Sequence, residues 1–130
     1  MRDPPNGQKG VLIVDDSKDV RRRLVALLSS IEGVEVLGEA GDSAEALEFC
    51  EAHHPDVVTL DLILTDESGV EALRKIRGLD APPRVIVLTN YPYPVFKKRC
   101  LDLGAEHFLN KATEFEKIRG ILTESREENE

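Results

Sequence analysis

The side chains in this sequence that could take part in a reaction lie at the ends of short apolar runs. The run from Val57 to Leu60 is followed directly by Asp61. Three further runs end in the same way, and the polar residues at their ends are Asp15, Asp16, Thr89 and Lys111. Such runs are typical of strands buried on both faces of a sheet, and in open α/β sheets the carboxyl ends of strands face the ligand crevice. We therefore expect these side chains to meet at one edge of a sheet.

Together these residue types suit phosphoryl chemistry. Three carboxylates in one crevice repel each other unless some take up protons or a cation settles among them, and Mg²⁺ fits an oxygen-only ligand set. Asp61 could then attack a phosphoryl group as a nucleophile and form an acyl phosphate, while the metal and the Lys111 ammonium neutralise charge on the transferring oxygens. The Thr89 hydroxyl could donate to the product phosphate. An ionised carboxylate needs no general base, so a reactive donor such as a phosphohistidine would suffice.

Segments with apolar residues at helical spacing separate the runs and must position these groups. The predicted apolar faces of the second and fourth helices are Ala44, Leu47 and Cys50, and Phe96, Cys100 and Leu103, respectively. Alternation at Val34–Val36 predicts a strand at the sheet edge. Five strands then alternate with five helices, which predicts a parallel sheet covered on both faces, with right-handed crossovers.

Composition limits the class of protein. A length of 130 residues predicts one domain, and we expect a flexible leader at 1–10, the domain at 11–123 and a charged, frayed tail at 124–130. The net charge of -8 argues against broad binding to nucleic acid or to an anionic membrane, and the apolar runs are too short to span a bilayer. Two cysteines, Cys50 and Cys100, inside helical segments indicate core residues of a reduced, cytoplasmic protein.

The motifs together resemble the receiver domain of bacterial two-component response regulators. In chain order they are Val14-Asp15-Asp16-Ser17, Leu60-Asp61-Leu62, Ser68-Gly69, Val87-Leu88-Thr89 and Asn110-Lys111. The resemblance implies a flavodoxin-like, doubly wound sheet of five parallel strands in the order 2-1-3-4-5. It also implies a signalling phosphoacceptor rather than an enzyme. The phosphoryl donor would be a sensor histidine kinase or a histidine phosphotransfer protein, and a downstream protein or output domain would be controlled.

The resemblance also assigns a role to each residue of the site. The Mg²⁺ ligands would be Asp16 directly, Asp15 partly through water, Asp61, and the backbone carbonyl of Ile63. Asp61 would be the phosphoacceptor, with Thr89 as the switch hydroxyl and Lys111 as the phosphate-binding lysine. Phe108 matches the aromatic residue whose ring orientation tracks activation in the family.

The expected output surface comprises the fourth helix, the fifth strand and the fifth helix. Tyr91 and Tyr93 precede the fourth helix, either as part of a rigid loop or as partner-binding area. Arg21–Arg23 on the first helix form either a solvated face or a docking site for a kinase. A dimer that forms on phosphorylation is left open.

Several positions depart from the family pattern or bear on it. Ala112 follows the lysine where the family usually has a proline with a cis bond, and a cis bond without proline costs about 3 kcal/mol, so we expect a trans bond here. Thr65 replaces a usual proline in the loop after Asp61. Asn90 follows Thr89, where a small residue is usual, and Ile63 is apolar. We hypothesise that Asn90 and Ile63 restrict attacking water and give a slowly decaying phosphoryl form.

Other interpretations of the same residues remain. Asp15-Asp16 could simply cap a helix. A Mg²⁺-dependent phosphatase would resemble the haloacid dehalogenase family, which has a second aspartate where Ile63 stands. A flavin binder would need a phosphate loop after the first strand, where the two aspartates would repel phosphate. A degenerate receiver could bind partners without phosphorylation.

Overall fold

Five strands and five helices alternate along residues 8–123, the part of the chain that the structure, a computed structural model, describes. The strands are β1 (Lys9–Val14), β2 (Val34–Ala40), β3 (Val57–Leu60), β4 (Arg84–Thr89) and β5 (His107–Asn110). The helices are α1 (Lys18–Ser29), α2 (Ser43–His53), α3 (Gly69–Arg77), α4 (Pro94–Asp102) and α5 (Lys117–Thr123). All neighbouring strands pair in parallel, in the order β2-β1-β3-β4-β5. The predicted fold is confirmed.

Two apolar clusters cover the two faces of the sheet. One joins alternate strand residues such as Leu12, Val58 and Val85 to helices α2, α3 and α4. The other joins the intervening residues, such as Ile13 and Ile86, to α1 and α5. Alternation along each strand sends side chains to both clusters, so β1, β3 and β4 are almost wholly buried. The edge strand β2 is only partly buried, as its alternating sequence predicts.

Polar residues at the helix starts place the loops around the carboxyl edge of the sheet. The Ser17, Asp42 and Ser68 side chains each accept a hydrogen bond from a backbone N–H in the first turn of α1, α2 and α3. Each cap fixes where its helix begins and so fixes the length of the loop before it. Helix α4 begins instead with Pro94 and has no side-chain cap.

Three predicted details were wrong. In α4, Phe96 was predicted on the apolar face but is exposed, and Cys100 is the buried residue of the helix. Strand β1 begins at Lys9 rather than Val11, so it includes two residues assigned to the leader; Asp56 Oδ2, 2.7 Å away, accepts the Gly10 N–H. In α2 the buried residues are Ser43, Ala46 and Cys50, while Ala44 is exposed. A hydrogen bond from the Ser43 hydroxyl to Glu67 accounts for this register, because it turns a polar residue inward.

The two cysteines are free and buried, as expected of core residues. No helix within residues 8–123 is long and apolar enough to cross a membrane. The rest of the predicted leader, residues 1–7, and the predicted tail, 124–130, lie outside the described residues.

Candidate functional site

The predicted site residues lie together at the carboxyl edge of the sheet. Asp15 follows β1, Asp61 follows β3, Thr89 closes β4 and Lys111 follows β5. Backbone hydrogen bonds continue past the strand ends, from Asp61 N to the Val14 carbonyl (3.0 Å) and from Lys111 N to the Thr89 carbonyl (2.7 Å). The sheet itself therefore sets the spacing between these side chains.

Three carboxylates meet in this site. Asp15, Asp16 and Asp61 each offer a carboxylate oxygen, and the three oxygens lie within 4.8 Å of one another. Asp15 and Asp61 are buried, with 2% and 7% of their surface exposed, whereas Asp16 is exposed. A hard divalent cation prefers this donor set, and the exposed Asp16 gives it a route from solvent. The residues present therefore fit Mg²⁺.

Lys111 supplies the positive charge of the site from the end of β5, an edge strand of the sheet. Its Nζ lies 2.6 Å from Asp15 Oδ2 and 3.5 Å from Asp61 Oδ1. The second oxygen of Asp15 accepts the backbone N–H of Ser17 at 2.9 Å. Because β1 and β5 are separated by two strands, only a long side chain can join their ends.

Burial controls the charge of Asp61. Loss of solvent raises the pKa of its carboxyl from 3.8 to about 6. The Lys111 ammonium lowers the pKa, the Asp15 carboxylate raises it, and hydrogen bonds from the Ile63 and Leu62 backbone N–H groups lower it, the latter 2.8 Å from Oδ1. Desolvation is the largest of these effects, so keeping the Asp61 carboxyl ionised costs free energy. A bound cation would lower that free-energy cost.

Gly69, which belongs to one of the motifs named from the sequence, supports the aspartate directly. A Cβ at Gly69 would lie 2.2 Å from the Asp61 carbonyl oxygen and 2.5 Å from the Leu62 Cα. The Gly69 N–H donates to the Leu62 carbonyl at 2.7 Å, and Ile63 pairs with Ser68 in an antiparallel bridge. The Ile63 side chain is 51% exposed. The loop after Asp61 is therefore closed at its base by a contact that only glycine allows.

Arg21 is a site residue that the sequence did not reveal. Its guanidinium donates to the backbone carbonyl of Asp15 and pairs with Glu39 at 3.0 Å, whereas Arg22 and Arg23 are exposed. Helical spacing alone could not separate Arg21 from its neighbours, because the distinction depends on the approach of β2.

Thr89 and Phe108 are both buried. The Thr89 hydroxyl is fully enclosed and accepts the Tyr91 N–H at 2.9 Å. Phe108 packs in the cluster under α2–α4. The described residues contain no cis peptide bond, so the Lys111–Ala112 bond is trans, as expected. Asn110 stabilises that turn, because its side-chain oxygen accepts the Ala112 N–H at 2.9 Å.

This fold and this site define a receiver-type domain, in which a buried aspartate, two further carboxylates and a lysine share the carboxyl edge of a 2-1-3-4-5 sheet. The sequence matches the response regulator receiver domain family over residues 11–123, and the chain belongs to this family.

Several known bacterial proteins are similar to this chain. It is 40% identical over 104 residues to protein-glutamate methylesterase/protein-glutamine glutaminase 5 of Myxococcus xanthus, covering 79% of this chain and 30% of that protein. It is 35% identical over 101 residues to response regulator UvrY of Escherichia coli O157:H7, covering 78% and 46%. The response regulator domain of Thermotoga maritima CheB superposes with a TM-score of 0.80 at 31% identity, covering 90% of this chain and 92% of that one. The chain spans about half or less of the length of the curated relatives it resembles.

Proposed function

We propose that Asp61 accepts a phosphoryl group from a phosphohistidine of a sensor histidine kinase or a histidine phosphotransfer protein. The observation that carries this proposal is the position of the Lys111 ammonium, between the buried carboxylates of Asp15 and Asp61. If a metal were bound to the Asp15 and Asp61 carboxylates, the Lys111 ammonium would be able to pair with the oxygens of an incoming phosphoryl group. Such a donor would place the domain in the cytoplasm.

Each residue of the site has a defined part in this transfer. A carboxylate oxygen of Asp61 would form the new bond to phosphorus while the phosphorus–nitrogen bond to imidazole breaks, and the electron pair leaves with the imidazole. The Leu62 N–H, 2.8 Å from Oδ1, orients the carboxylate, and Lys111 neutralises the phosphoryl oxygens. Asp15, Asp16, Asp61 and the Ile63 carbonyl would hold Mg²⁺, which supplies charge neutralisation when bound.

Signalling would then proceed through Thr89. Its hydroxyl accepts the Tyr91 N–H, so a movement of Thr89 toward a phosphoryl group on Asp61 would pull on the loop that leads into α4. Exposed aromatic side chains lie along that loop and helix, with Tyr93 between Tyr91 (6.5 Å between ring centroids) and Phe96 (5.8 Å). The surface seen by a downstream protein or output domain would change with phosphorylation.

An acid-catalysed phosphatase finds no support in this site. That chemistry needs a general acid two residues after the nucleophile, and the exposed Ile63 side chain cannot donate a proton. The domain would therefore act as a signalling phosphoacceptor rather than as an enzyme with its own substrate.

Intact-protein mass spectrometry tests the proposal. We expect incubation with a small phosphodonor and Mg²⁺ to add one phosphoryl group to the wild type, and none in the presence of EDTA or in Asp61→Ala. Asp80→Ala is a matched control, because Asp80 is exposed and lies outside the site. Failure of the wild type to gain mass, or equal gain by Asp61→Ala, would contradict the assignment.

A further inference from the structure

The loop that follows Asp61 is fastened at its tip to another helix. The Asp66 carboxylate accepts the Ser43 N–H at 2.9 Å through Oδ1 and the Ala44 N–H at 3.0 Å through Oδ2. The next residue, Glu67, accepts the hydroxyl of Ser43, which is almost completely buried. Two consecutive acids of the loop therefore bind the first turn of α2. We call this set of contacts between Asp66, Glu67 and the start of α2 the loop clamp.

Helix α2 already has its own capping groups. Asp42 Oδ1 accepts the Glu45 N–H at 2.8 Å, and Glu45 Oε1 accepts the Gly41 N–H at 2.7 Å. This pair resembles a capping box, except that the returning bond reaches Gly41, one residue before the cap. The bonds from Asp66 are therefore additional to the helix's own cap, and their distinctive effect is on the loop.

A second anchor connects the loop clamp to α3. Glu67 Oε1 lies 3.0 Å from Lys75 Nζ, while its other oxygen takes the Ser43 hydroxyl. Hydrogen bonds from Ser43 lower the pKa of Asp66 and of Glu67, so both acids are ionised when they bind. Charge-assisted bonds of this kind are stronger than neutral ones. The tip is therefore fixed between two helices.

The base of the same loop holds the phosphoacceptor. The Leu62 N–H donates to Asp61 Oδ1, and the bridge between Ile63 and Ser68 closes the loop. Only Leu64 and Thr65 lie between Ile63 of the bridge and Asp66, so we expect motion at the tip to reach the Leu62 and Ile63 peptide groups. These are the groups that orient the Asp61 carboxylate and, in the proposed function, offer a metal ligand.

We propose that Asp66 and Glu67 are positioning residues of the phosphorylation site, which act by holding the loop after Asp61 in its metal-binding conformation. This inference rests on the proposed function. Without the loop clamp, the metal must order the loop as it binds, so binding weakens while the fully loaded site is unchanged. The signature is a higher Mg²⁺ requirement with the same maximal rate of phosphorylation.

The test compares Asp66→Ala with Asp42→Ala. Each variant removes a carboxylate that accepts a backbone N–H from the first turn of α2, but only Asp66→Ala releases the loop. We expect Asp66→Ala to need about tenfold more Mg²⁺ for half-maximal phosphorylation by a small phosphodonor, as for loss of a supporting partner in a metal site. Asp42→Ala should match the wild type. In metal-free protein, NMR hydrogen exchange of the Leu62 and Ile63 amides should accelerate in Asp66→Ala only.

The two readouts separate the possible failures. If Asp66→Ala and Asp42→Ala both match the wild type in Mg²⁺ requirement and in amide exchange, the loop clamp is overturned, while phosphorylation of the wild type stands. A parallel shift in both variants would overturn it as well, because the effect would then come from the helix cap. If the wild type is not phosphorylated at all, the proposed function fails, and the exchange measurement still decides whether Asp66 orders the loop.

Discussion

Replacing Asp61 with asparagine should stabilise the metal-free protein at neutral pH. Burial raises the pKa of Asp61 from 3.8 to about 6, so the folded protein holds this proton more tightly than the unfolded chain does. The protonated Asp61 carboxyl therefore makes its full contribution to the free energy of unfolding below about pH 4, and this contribution is lost as the pH rises through about 6. Above that pH the ionised carboxylate remains in the fold at a constant cost.

The size of the effect follows from the two pKa values. A rise from 3.8 to about 6 corresponds to about 3 kcal/mol in the free energy of unfolding. Asparagine is close in shape and can still accept the Leu62 N–H, but its amide group needs a new partner in a nearly buried site. Since an imperfect hydrogen bond costs about 1 kcal/mol, we expect Asp61→Asn to gain about 2 kcal/mol at pH 8.

Urea unfolding in EDTA measures this gain. The difference between Asp61→Asn and the wild type should be largest at about pH 8 and small at about pH 4.5. Asp16→Asn is the control, because Asp16 belongs to the same cluster but is exposed, and it should change stability by less than about 0.5 kcal/mol. Mg²⁺ should stabilise the wild type and narrow its gap to Asp61→Asn. A variant no more stable than the wild type at pH 8, or a gap that ignores pH, would refute the reasoning.

Three further substitutions test the loop and the lifetime of the phosphoryl group. Gly69→Ala should destabilise the protein by about 1–3 kcal/mol in urea unfolding, because its Cβ would lie 2.2 Å from the Asp61 carbonyl oxygen. The control Gly120→Ala, which has open space around it, should be neutral or stabilising. Equal effects of the two substitutions would contradict the contact at Gly69. Asn90→Ala and Ile63→Asn should each shorten the phosphoryl lifetime severalfold by mass spectrometry, since smaller or polar side chains admit water; unchanged decay would count against the hypothesis of restricted access.

Most of the site could be predicted because it depends on strand ends. Parallel strands bring their carboxyl ends to one edge, so the positions of Asp15, Asp61 and Lys111 follow from three apolar runs. The hydrogen bonds of Arg21 and Asp66 could not be predicted in this way. Both depend on how neighbouring helices and loops approach each other, and no periodicity in the sequence records that approach.

The loop after Asp61 shows how a departure in sequence can be offset in structure. Proline would restrict the backbone at the position of Thr65. This chain has no such restraint there, and the following residue, Asp66, is instead bound to two backbone N–H groups of α2. The sequence showed the missing proline, but only the fold showed the hydrogen bonds that we propose restrain the loop in its place.

Weak packing of α4 makes it the element best suited to respond to the site. Among its nine residues only Cys100 is buried, and its start lacks a side-chain cap. Elements with few buried apolar contacts open or shift at low free-energy cost. To move an equilibrium from mostly one state to mostly the other, a ligand must bind the favoured state by about 5.5 kcal/mol more tightly than the other state. The required difference in binding free energy is smaller where the two states lie closer in free energy. The hydrogen bond between Thr89 and Tyr91 links the buried site to the loop before α4. Under the proposed function, a small displacement of the buried Thr89 hydroxyl would therefore shift α4, whereas the well-packed α1 and α3 would resist it.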